Sequence, residues 1–218
     1  MIDQERFETQ IAMTRLSMMS DWQLLSKFDH WKMMQEIEPF KDDWKRYNPK
    51  KTGNNRWGLS VTSYDGGLSG IPDLTSLLDY KEQTGIELHN HDIVEPTEVW
   101  KQSEELTKLL APWEKWVTRC HFLRLDKGGF FPDHYDINKH YFEYEEIRFV
   151  GFVNANEFDF KWFYDDRVFK GNSGELYYFN ANKRHSVYST ADNMILLVVC
   201  MSFDKELFLK MVDTAIVK

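Results

Sequence analysis

Val117-Thr-Arg-Cys-His-Phe-Leu-Arg-Leu-Asp-Lys-Gly-Gly-Phe-Phe-Pro-Asp-His-Tyr-Asp136 is the stretch on which the reading of this chain turns. Val117–Leu125 is rich in β-branched and apolar residues, and His121, Leu123 and Leu125 alternate on one side, which predicts a strand. Asp126-Lys-Gly-Gly129 is turn chemistry, because glycine enters backbone conformations that other residues resist. The segment beyond it, ending in His134-Tyr-Asp136, reads as extended.

Downstream, short aromatic and β-branched runs recur: Ile147–Asn154, Phe158–Tyr164, Gly174–Phe179, His185–Ser189 and Met194–Phe203. Turns such as Lys170-Gly-Asn-Ser-Gly174 separate them, which is the pattern of an all-β sandwich, barrel or jelly roll. Asp204 is placed to cap a closing helix from Lys205 to about Asp213. Upstream, Phe7, Ile11, Thr14 and Met18 form a stripe at helical spacing, and Trp22, Leu24, Leu25, Phe28 and Trp31 continue it towards Phe40. A basic, turn-rich segment (Arg46 to Arg56) precedes a predicted strand, Trp57–Ser63, which the loop Asp65–Gly70 ends. Pro96 opens a second predicted helix bearing Val99, Ser103, Leu106 and Leu110. With no repeat, low-complexity tract or linker, residues 1–218 read as a single domain. It has a helix-rich part with at least one strand (1–116), a β core (117–203) and a C-terminal helix (204–218).

Composition narrows the function. Sixteen Phe, ten Tyr and eight Trp suit a wide interior better than a slim bundle. A formal charge of −8 without a clustered basic run argues against nucleic acid as a partner. The apolar run Met194–Met201 is too short to cross a bilayer, and no secretory leader is visible, so the expectation is a cytoplasmic protein with no membrane partner. Cys120 and Cys200 lie in strand-like runs and read as small buried hydrophobes in a reducing compartment. There is no Gly-x-Ser-x-Gly elbow, no cysteine in a turn and no phosphate-cradling loop, which sets aside nucleophilic and nucleotide chemistry.

A metal site remains. Residues i and i+2 of an extended segment share a face, so His134 and Asp136 can aim at one point. His185 follows the run Gly174-Glu-Leu-Tyr-Tyr-Phe179 and can arrive from another strand. Two imidazoles and one carboxylate cover one face of an octahedral ion and leave the rest open, the arrangement that iron(II) oxygenases use. Ligation needs neutral histidines and an ionised aspartate, so affinity is expected to fall below about pH 6.

The order Leu123-Arg-Leu125-x-x-Gly128-Gly129-x-x-Pro132-x-His134-x-Asp136, then Gly174-Glu-Leu-Tyr-Tyr-Phe179-Asn and His185-Ser-Val187, resembles the aspartyl/asparaginyl β-hydroxylase-like group. Its members are 2-oxoglutarate- and iron(II)-dependent dioxygenases and include proline hydroxylases. The resemblance covers Trp57 and Val117 to Phe203. It implies a mainly β fold, a cupin-like double-stranded β-helix flanked by helices, with His134, Asp136 and His185 as catalytic iron ligands. It further implies 2-oxoglutarate as co-substrate and hydroxylation of an amino acid, a peptide residue or a small metabolite.

The distal carboxylate of 2-oxoglutarate needs a fixed cation, for which the Arg fork is best suited. The resembling family commonly carries an Arg about ten residues past the last His, where this sequence has Asp192-Asn-Met-Ile195. Arg148, aligned with Val150 and Phe152, is the alternative anchor, or else a structural partner of Glu145 or Glu146; Arg124 is held in reserve. His89-Asn-His91-Asp92 could bind a second metal, but a polar loop before Pro96 accounts for it. His121 reads as a hydrogen-bonded strand histidine and His140 as a surface residue. Two other classes stay open: a cupin-type enzyme using zinc, manganese or nickel without 2-oxoglutarate, and a non-catalytic jelly-roll binding protein.

Overall fold

The computed structural model describes residues 4–19, 21–50, 55–136 and 146–215. Its helices are α1 (Gln4–Met19), α2 (His30–Ile37), α3 (Leu77–Thr84), α4 (Glu98–Gln102), α5 (Glu104–Leu110) and α6 (Lys205–Thr214). The strands are β1 (Trp22–Lys27), β2 (Lys45–Arg46), β3 (Arg56–Ser60), β4 (Thr62–Ser63), β5 (Glu95–Pro96), β6 (Val117–Leu125) and β7 (Phe130–His134). They continue with β8 (Glu146–Asn154), β9 (Phe160–Tyr164), β10 (Arg167–Phe169), β11 (Glu175–Phe179), β12 (His185–Ser189) and β13 (Met194–Ser202).

From β6 onward the chain passes back and forth between two antiparallel sheets. The larger runs β1-β11-β8-β13-β6-β3-β2 and the smaller β10-β9-β12-β7. Strands β6, β8, β11 and β13 thus fall in one sheet, and β7, β9, β10 and β12 in the other. This interleaving is the double-stranded β-helix, or jelly roll. The mainly β class with flanking helices is therefore what the chain adopts.

Strand alternation sorts side chains into two cores. On β8, Val150 and Phe152 face the space between the sheets, while Ile147, Phe149 and Val153 face the helices. The inner core is aromatic: Trp162 meets Phe169 edge-on at 5.5 Å, and Phe169 meets Tyr177 at 5.1 Å, the geometry that ring quadrupoles favour. The outer core packs Met33 and Ile37 of α2, Leu106 and Leu110 of α5, and Leu207 and Met211 of α6 onto the back of the larger sheet.

Several expectations need correction. Trp22–Lys27 is a strand, not a helix continuing from α1. It pairs antiparallel with β11, Trp22 opposite Phe179, because the outer edge of a buried strand needs backbone partners. Asp29 then starts α2 by accepting a hydrogen bond from the Lys32 amide at 3.0 Å. In α1 the buried side is Thr9, Ala12 and Leu16, whereas Phe7 and Met18 are exposed. The Pro96 helix is interrupted at Ser103, whose hydroxyl caps α5 at Leu106. Two elements, α3 and β10, carry no clear signal in the sequence pattern. By contrast, α6 is capped by Asp204, which accepts from the Leu207 amide at 2.7 Å. Cys120 and Cys200 are both buried and free.

Candidate metal centre

His134 closes β7 and His185 opens β12, and antiparallel pairing sets the two directly opposite each other. Their ring centroids lie 4.3 Å apart. Asp136 is two residues past His134, and its amide donates to the Ala181 carbonyl at 2.9 Å, pinning it to the turn that leads into β12. One ligand atom from each of His134, Asp136 and His185 lies within 4.8 Å of the others. No other group of three possible ligand residues converges in this way among the described residues.

The same local bond orients both rings. His134 Nδ1 faces the Pro132 carbonyl at 2.6 Å, and His185 Nδ1 faces the Lys183 carbonyl at 2.8 Å, each two residues back. A carbonyl oxygen cannot donate, so each Nδ1 carries the proton and each Nε2 of the neutral ring presents a lone pair. His134 Nε2 then meets Asp136 Oδ1 at 3.3 Å. A second proton on the ring, or a divalent cation held by both groups, satisfies that contact. Second-sphere carbonyls that fix the tautomer are what ligating histidines use, so the residues fit a divalent metal.

Electrostatics agree. Burial opposes ionisation of Asp136, but the contact with His134 and the charges of Arg148 and His185 outweigh it. The carboxyl is held well below the usual range. Burial pushes the His185 imidazolium down, which favours the neutral ring.

Arg148 points between the sheets with Val150 and Phe152. Its Nε is 3.5 Å from Asp136 Oδ2 and its Nη1 3.6 Å from Glu146 Oε2. The structural pairing with Glu146 is thus present, and the side chain also lines the cavity beside the candidate triad. Glu145 and His140 lie outside the described residues. Arg124 is corrected: it shares the helix-side face of β6 with Phe122, lies over Trp44 and Trp57, and is 3.5 Å from Asp126. That face is turned away from the triad.

The stretch His89 to Asp92 forms a short 3-10 turn in which the His89 amide donates to Asp92 at 2.8 Å. It braces the mouth of the site, Asn90 donating to Glu146 at 2.8 Å.

The cavity of about 170 Å³ behind the triad is lined by residues from both sheets, among them Tyr47, Arg119, His121, Phe131, Trp162 and Cys200. Burial pushes the Cys200 thiol up to about 11, so it is no nucleophile. His121 is not the satisfied histidine expected. Its ring stacks on Tyr47 at 5.3 Å and its Nδ1 is buried without a hydrogen bond. Arg119 belongs to no motif, although the alternation of His121, Leu123 and Leu125 reaches it one step earlier.

No family model and no curated protein matches this chain. Among solved structures, an oxidoreductase of the 2OG-Fe(II) oxygenase family from Burkholderia pseudomallei is 15% identical. The match covers 89% of each chain at a TM-score of 0.45. An RmlC-like cupin from Shewanella frigidimarina is 12% identical over 42% of this chain and 71% of that one, TM-score 0.30. YcfD, a ribosomal oxygenase from Escherichia coli, is 13% identical over 45% of this chain and 28% of that one, TM-score 0.35. At these values the architecture rests on the strand order and register of the chain itself.

Proposed function

We propose that this chain is a metal-dependent oxygenase that uses iron(II) and 2-oxoglutarate to hydroxylate a small molecule or a peptide residue. The observation that carries the reading is the pair of carbonyl-anchored imidazoles whose Nε2 lone pairs converge with the Asp136 carboxylate. Bound there, iron(II) would supply dioxygen activation at the positions that three protein ligands leave open. The protein's own part is positioning. His185 is 6% exposed and anchors the inner side, while His134 and Asp136 are each about one-third exposed at the mouth. Val150, Val187 and Leu196 keep the inner wall apolar and exclude water. Arg148 offers a fixed cation to a keto-acid carboxylate at the same wall.

The test is an anaerobic titration with iron(II) and then 2-oxoglutarate. A visible metal-to-ligand charge-transfer band is expected in the wild type and not in His134→Ala. Absence of iron binding overturns the reading.

A second reading, a cupin-type enzyme using another divalent metal without a keto acid, is favoured by one observation. Arg148 is already shared between Asp136 and Glu146, and β13 has no Arg at all. Iron binding without the band would select it.

A further inference from the structure

Three buried nitrogens on the wall of one cavity have no hydrogen-bond partner: His121 Nδ1, Arg148 Nη1 and Trp162 Nε1. Folded proteins pair nearly all such groups, and a cluster of unpaired ones around one space marks where a ligand supplies the acceptors. Arg148 and Trp162 can only donate, and Arg148 is charged. The missing partners are therefore acceptors; Arg148 already faces Asp136 and Glu146, so the demand for negative charge comes from the next residue on the wall.

Arg119 enlarges this wall. It sits on β6, two residues before His121 and on the same face, and is itself about nine-tenths buried. Its Nε donates to the Asp73 carbonyl at 2.7 Å and its Nη2 to the Thr75 carbonyl at 2.9 Å. Two backbone carbonyls thus aim the guanidinium without neutralising it, and no ion pair joins Arg119 to a carboxylate among the described residues. A preset fork of this kind matches the two oxygens of a carboxylate. His121 beside it is held upright by its stacking on Tyr47.

We infer that Arg119 and His121 form a carboxylate-binding site on the β6 wall of the cavity, separate from Arg148, so that the cavity takes a small carboxylic acid. This assignment shares the cavity with the oxygenase reading but does not depend on the metal. The carboxylate belongs either to the far end of a dicarboxylic keto acid or to the acid that is the substrate. In both cases the recognising groups are the same.

Calorimetric titrations of zinc-loaded protein separate these sources. The probes are 2-oxoglutarate, 2-oxopentanoate (the same keto-acid head without a second carboxylate) and succinate. If the keto acid supplies the carboxylate, 2-oxoglutarate binds about ten- to a hundredfold more tightly than 2-oxopentanoate, and Arg119→Gln abolishes the difference. If the substrate supplies it, the two keto acids bind alike, and succinate adds to the 2-oxopentanoate complex with an affinity that Arg119→Gln removes. Arg119→Gln also loses the bonds to Asp73 and Thr75, so His121→Phe, which keeps a ring on Tyr47, serves as the second variant. It should weaken the same ligand severalfold. Should the wild type hold no zinc, the metal reading fails by itself, and succinate binding to the metal-free protein, followed by Trp fluorescence, still decides the site. The inference is overturned if no carboxylate binds, or if both variants, folded by thermal melting, bind carboxylates as the wild type does.

Discussion

Arg148 Nε stands 3.5 Å from Asp136 Oδ2, which ties the one carboxylate of the proposed ligand triad to a strand of the opposite sheet. Asp136 lies beyond the end of β7, and its amide is held by a bond to Ala181. Arg148 contributes the second constraint. Residues that orient a metal ligand from outside typically change affinity by about ten- to a hundredfold when lost. Arg148→Met is expected to weaken divalent-metal binding by that factor in a chelator-competition titration. An unchanged dissociation constant would show that the turn alone positions Asp136.

Loss of a ligand should be visible in stability as well. A metal at a hundred times its dissociation constant adds about 2.7 kcal/mol to a fold that binds it. His134→Ala and His185→Ala are expected to lose that increment in thermal melts run with and without metal. His89→Ala, at the braced mouth, should keep it. A metal-dependent rise in Tm that survives His185→Ala would place the metal elsewhere.

His121 gives the fold a pH signature. Burial, and then the nearby charges of Arg119 and Arg148, hold its imidazolium well below the usual value of 6.5. Below that value the unfolded chain takes up a proton that the folded chain refuses. Stability is therefore present above pH 6.5 and is lost as pH falls. A single such group contributes about 1.4 kcal/mol per pH unit. Urea unfolding between pH 7 and pH 5 should show a shallower loss in His121→Phe than in the wild type. Parallel curves would mean that the ring accepts its proton in place.

At Gly174 the backbone itself is the constraint. The residue has φ +84°, and a Cβ there would lie 2.8 Å from the Phe28 carbonyl oxygen. Its amide donates to Phe152 and its own carbonyl accepts from Phe28, joining the ends of β1, β8 and β11. Gly174→Ala is expected to cost about 2 kcal/mol or more, from strain plus the clash. A loss under about 0.5 kcal/mol, the range of ordinary surface substitutions, would contradict this.

Much of the site was legible because its determinants are local. His134 and Asp136 are two apart in an extended segment, and the strand period alone puts them on one face. Strands such as Val117–Leu125 and His185–Ser189 announce themselves by alternation and by flanking turns, and their bounds match the structure. What is not local was misread. Trp22–Lys27 carries apolar residues at spacings that suit a helix, and only the unpaired edge of β11 makes it a strand. The stripe Phe7, Ile11, Thr14, Met18 gives a helix but the wrong buried side, since the buried side depends on what α6 and the sheet offer to α1.

The sequence by itself determined the class of fold and the buried, free state of both cysteines, and it singled out His134, Asp136 and His185 as a candidate triad. Each follows from periodicity, turn chemistry or residue type within a few positions. Tertiary structure decided the rest. Register between β7 and β12 places His134 opposite His185, and the carbonyls of Pro132 and Lys183 choose the tautomers. The same folding turns Arg148 and Arg119 into the cavity while sending Arg124 to the helix side. Those outcomes depend on which face of a strand the second sheet covers, and that is fixed only when strands far apart in the chain pack together.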